Sequence, residues 1–162
     1  MTGVIAYPQN FLTGYFLVLQ LVGLAGLGAS LAINSYRTLR LLDLSLTVVG
    51  DDHDSLSRLN RELRFIAGNN ILEMFQLDVV VQVGASCRTE SEDWSAFDSV
   101  LTEPGAFPML RQVFVEVMWF FFAYRDEDYE WQNHFLEVIK EDKFPPLVES
   151  KAVEFDFYTV IC

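Results

Sequence analysis

From residue 11 to residue 33 the chain carries 23 consecutive uncharged side chains, and Gln20 is the only strongly polar one among them. A helix of that length rises roughly 34 Å, against about 30 Å of hydrocarbon in a bilayer. A core helix of a water-soluble protein normally keeps one polar face, and this run offers none. It predicts a single transmembrane helix over residues 11–33, behind a short non-cytoplasmic tail, residues 1–10. A secretory signal fits poorly, because no basic side chain precedes Arg37. Gly23, Gly26 and Gly28 match neither G-x-G-x-x-G nor a P-loop.

Small residues recur within the run at helical spacing. Ala25, Gly28, Ala29 and Ala32 share one side of a helix, and Gly26 with Ser30 makes a second small-xxx-small pair, so these six are expected to pack against another helix. Arg37 and Arg40 follow the span and are expected at the membrane interface. By the positive-inside rule, the remainder lies on a matrix or cytoplasmic side.

That remainder is acidic. Residues 1–42 hold two arginines and no acid, so nine of the 11 basic residues and all 23 acids lie downstream. Such a surface repels phosphate backbones, which sets nucleic acid aside as a partner. With 51% apolar residues, a chain of 162 is long enough for one core. Cys87 and Cys162 are too few for a disulfide framework or a cysteine-based zinc site.

The spacing predicts a mostly α-helical fold: a juxtamembrane helix over residues 34–50, then an acidic helical domain over residues 51–162. Leu56, Leu59, Leu63 and Ile66 form an amphipathic stripe, with Asp54 or Ser55 to cap its start and Gly68 its end. Asn70 and Glu73 read as a capping box opening a further helix. Residues 77–83 suit a strand by composition. They are assigned to helix because Leu72, Phe75, Val79 and Gln82 also fit that period. Trp94, Phe97 and Leu101 mark a short helix, Pro108 opens another through residue 124, and Trp131, Phe135, Val138 and Ile139 supply one more buried stripe. Val153, Phe155 and Phe157 alternate with Glu154 and Asp156, the pattern of a strand or an extended tail. No internal repeat is evident.

Chemistry has few footholds. Glu116 sits in an apolar stretch with no base between Arg111 and Arg125, which makes it a candidate proton or cation site. Residues 126–137 place oxygen-bearing side chains as a calcium loop does, but Trp131 stands where that loop needs glycine. Residues 51–54 and the two histidines, His53 and His134, lack a convergent ligand set, so no metal, cofactor or small-molecule substrate is inferred. Trp119, Phe120, Phe121 and Phe122 exceed what one helix can direct to its own core, and are expected to meet a partner or lipid.

The function expected from these features is a non-catalytic accessory or scaffold subunit of a larger membrane complex, with neighbouring subunits and the bilayer as partners. An energy-transducing assembly (respiratory, ATP synthase or photosynthetic) in an organellar inner membrane is the setting expected, mitochondrial first, with thylakoid or plasma membrane as alternatives. The rival is a two-segment membrane enzyme or transporter component using Glu116. A third reading is an anchored receptor whose acidic domain recruits basic proteins.

Overall fold

Alternation with a period of two governs the segments between the helices. In Leu39–Val49, Leu42, Leu44 and Leu46 are buried while Leu41, Asp43 and Ser45 between them are not fully so. Met74–Val83 repeats the pattern with Phe75, Leu77 and Val79, and Gln112–Phe121 with Val113, Val115 and Val117. Successive side chains of a strand point to opposite faces, so each segment presents one apolar edge to the core.

The computed structural model describes residues 5–11, 14–20, 38–49, 54–83, 91–121 and 142–161. Their order is β1 (Ile5–Phe11), β2 (Gly14–Gln20), β3 (Leu39–Val49), α1 (Asp54–Ile66), β4 (Met74–Val83), α2 (Ser91–Thr102), β5 (Gln112–Phe121), α3 (Pro145–Glu149) and β6 (Glu154–Ile161). The six strands form one sheet in the order β1-β2-β3-β4-β5-β6. The first pair is antiparallel, and every later pair is parallel. The class is α/β.

Because the parallel strands follow one another in sequence, each crossover steps in the same direction. Crossovers between parallel strands are right-handed, so steps in one direction set their helices on one face. Burial agrees: Leu59 and Leu63 of α1, Trp94 and Phe97 of α2 and Leu147 of α3 share a core with one alternate set of strand residues. Phe144 is fully buried and gathers this core at its C-terminal end. Its ring centroid lies 5.6 Å from Trp94, 5.1 Å from Phe155 and 5.6 Å from Phe157.

The units are quasi-repeats. Leu42, Phe75, Val113 and Phe155 occupy one register row, and two residues further on Leu44, Leu77, Val115 and Phe157 occupy the next. Three residues before the first row stand Leu39, Leu72, Leu110 and Ala152. Backbone bonds stitch the same point of successive units: Glu73 N–H to Arg40 O (2.8 Å), Arg111 N–H to Glu73 O (2.9 Å) and Glu154 N–H to Arg111 O (2.8 Å). Asn70 secures the bend between α1 and β4. Its buried amide donates to Ile66 O (2.8 Å) and Ala106 O (2.7 Å), and its Oδ1 accepts from Leu72 N–H (3.3 Å).

Asp98 does similar work for α3. Pro145 and Pro146 have no N–H, so Leu147 N–H is the first free donor of that helix, and Asp98 Oδ1 accepts it at 3.0 Å from α2. Burial raises the Asp98 carboxyl to a pKa of about 6, against the lowering effect of that hydrogen bond.

This architecture corrects the mostly α reading. Among the described residues no helix is long and apolar enough to cross a membrane. Residues 14–20 of the expected span are a strand flanked by β1 and β3, and residues 39–49 of the expected juxtamembrane helix are a strand as well. A strand with neighbours on both sides has its backbone groups bonded and tolerates a continuous apolar run, so hydropathy alone does not separate it from a lipid-solvated helix. The integral-membrane placement, the organellar inner membrane and the bilayer as partner are withdrawn with the helical span. Met74–Val83 and Gln112–Phe121 are strands where helices were expected. The stripes of α1 and α2 and the alternation of β6 stand as read from the sequence.

Candidate functional site

With the described helices on one side, no described element covers the opposite side of β3–β6, the open face. Its residues are the second alternate set: on β3 Leu41, Asp43, Ser45 and Thr47; on β4 Met74, Gln76, Asp78 and Val80; on β5 Gln112, Phe114, Glu116 and Met118; on β6 Glu154, Asp156, Tyr158 and Val160. None is buried: Thr47, Glu154, Tyr158 and Val160 are exposed and the rest are half-buried. Five of these sixteen positions are acidic and none is basic.

Parallel register places the acids beside one another. Asp78 pairs with Glu116 across β4 and β5, and Glu116 pairs in turn with Tyr158 on β6. Neighbouring strands lie about 4.8 Å apart, so two carboxylates in one row repel. Burial pushes the Asp43 carboxyl above its ordinary range, and the nearby Asp78 carboxylate pushes it further. The only neutral donor bonded to this group is Gln76, whose Nε2 donates to Asp78 Oδ1 at a long 3.4 Å among the described residues.

A pair of rings interrupts the acids. Phe114 and Tyr158 stack with centroids 5.2 Å apart and planes at 26°. Their register partners are Asp156 and Glu116 respectively, so rings occupy one diagonal of a four-residue square and carboxylates the other. Tyr158 is 53% exposed, among the most exposed large apolar side chains of the described residues. Such a surface offers negative charge and flat π faces together, without a nucleophile and base in contact. Among the described residues, no three His, Cys, Asp or Glu are grouped to hold a metal ion.

The expected site residues are scattered by comparison. Glu116 lies on the open face of a strand between Asp78 and Tyr158 rather than in an apolar helix, which removes the argument for a lipid-buried proton site. Arg40 is the second residue of β3 and pairs with the Glu73 carboxylate rather than with headgroups. Trp119, Phe120 and Phe121 end β5, in register with Val81, Gln82 and Val83. Phe122, Arg37, the packing set Ala25, Gly26, Gly28, Ala29, Ser30 and Ala32, and the calcium-like residues 126–137 lie outside the described residues.

Sequence reasoning missed Asp43, Asp78, Phe114, Asp156 and Tyr158. The available signal was an acid or aromatic at every second position between core-facing apolar residues, as in Phe155-Asp156-Phe157-Tyr158. Comparison with protein-family models, with curated proteins and with solved structures finds no match.

Proposed function

We propose that the chain is a non-catalytic accessory or scaffold module of a larger protein assembly, and that the open face of β3–β6 is where another subunit packs. The observation that carries this reading is that, among the described residues, helices cover only one face of the sheet, while the other displays an acidic and aromatic surface whose carboxylates repel one another. A surface that costs folding energy in the free chain gains most when a partner covers and neutralises it. The acidic composition disfavours nucleic acid as that partner.

Size-exclusion chromatography of an extract from the native source tests this. The chain is expected to elute with other polypeptides, well ahead of its own 18.6 kDa. Glu116→Lys combined with Tyr158→Ala is expected to release it while the circular dichroism of the purified variant stays native. Elution of the unaltered chain alone at its formula mass overturns the proposal, as does co-elution untouched by the double variant.

A further inference from the structure

We propose that the square formed by Phe114, Glu116, Asp156 and Tyr158, with Asp78 beside it, receives an arginine side chain from an extended basic segment of the partner protein. This rests on the docking face proposed above and names the chemistry that face selects. A guanidinium is planar and permanently charged, and it meets two needs at once: it stacks on an aromatic face and forms paired hydrogen bonds to carboxylates. The square presents both within one residue spacing, because Phe114 lies beside Asp156 and Tyr158 beside Glu116. Tyr158 is 53% exposed and free to be covered from the solvent side.

Other ligands fit less well. Phosphate and nucleic acid meet carboxylates of the same sign across the whole open face. A metal ion needs convergent oxygens, whereas these acids are spread over four strands, with Gln76 and Phe114 between Asp43 and Asp156, and no three of them are grouped among the described residues. Lysine satisfies the charge, but its compact ammonium gains less from the stacked rings and cannot form a bidentate fork. The row of Phe114 and Asp156 continues through Gln76 to Asp43 on β3, and Glu154 stands two residues before Asp156 on β6, so a segment crossing the square meets further carboxylates beside it.

The test uses the full chain and three acetylated, amidated hexapeptides at near-physiological salt, in which alanine alternates with arginine, with lysine or with citrulline. Binding is followed by backbone amide NMR shifts. The arginine peptide is expected to move resonances of β4, β5 and β6 and to bind about five-fold more tightly than the lysine peptide, whereas the citrulline peptide is expected not to bind. Tyr158→Ala is expected to abolish the arginine preference, and Glu116→Gln with Asp156→Asn to weaken binding about ten-fold. Glu103→Gln, an exposed acid outside the sheet, is expected to change nothing. Equal affinity for the arginine and lysine peptides, equal binding by all variants, or no shifts at millimolar peptide overturns the assignment.

Two outcomes separate this inference from the docking proposal. If the face variants release the chain from its native assembly while no peptide binds, the arginine is wrong and the docking face stands. If the protein instead self-associates with rising concentration, and Arg61→Glu with Arg64→Glu on the exposed side of α1 abolishes it, the face belongs to a second copy and the proposed hetero-partner falls.

Discussion

Asp98 holds a carboxyl where water does not reach, 1% exposed, and its pKa of about 6 ties stability to pH. The unfolded carboxyl titrates near its ordinary 3.8, so the folded chain binds this proton more tightly. Stabilisation from the site is therefore complete below about pH 4 and is lost as pH rises past 6, amounting to about 2–3 kcal/mol. Asp98→Asn keeps an oxygen for Leu147 N–H and removes the titration. Urea melts are expected to show the variant more stable than the native chain at pH 7, with the gap closing near pH 4. A gap that stays constant across that range would refute the account. Asp98 was invisible in the sequence, where it is one acid among 23, because its role depends on a donor 49 residues away.

Elements differ in how openly they announce themselves. The helix α1 was legible because Leu56, Leu59, Leu63 and Ile66 face the core while Arg58, Arg61 and Arg64 face water, a contrast only one period explains. The strand β4 was not. Leu72, Phe75 and Val79 satisfy a helical stripe, and Phe75, Leu77 and Val79 satisfy a strand, so the deciding fact is pairing with β3 and β5, which lies far away in the chain. The repeat escaped notice for a related reason: equivalent positions at 42, 75, 113 and 155 are unevenly spaced, since the connections differ in length. Neighbouring substitutions in β5 separate the two readings. Val115→Asp buries an unpaired charge and is expected to abolish folding. Glu116→Lys removes a like-charge contact with Asp78 and is expected to leave the thermal midpoint at or above that of the native chain. If position 116 proves as intolerant as 115, the open face is not open.

For the molecule as a whole, a net charge of −12 is a field that works against compaction and toward basic partners. Screening is expected to help: about 0.5 M sodium chloride should raise the thermal midpoint by a few degrees, while weakening any arginine peptide on the open face. A midpoint that falls with salt would mean that attractive pairs such as Arg40 with Glu73 outweigh the repulsion. The acidity and aromatic load pointed in the sequence to a chain that meets other proteins. Which acids stand together became visible only through register, which sets Asp78, Glu116 and Tyr158 in one row from three distant segments.

A sheet whose strands lie in the order of synthesis can be laid down as the chain leaves the ribosome. From β2 onward each strand finds its docking edge already made, and waits for no later segment to complete the pairing behind it. Growth then proceeds in one direction, and the edge that receives the next strand always belongs to the newest one. A nascent chain stalled after β5 should already protect the amides of β3 and β4.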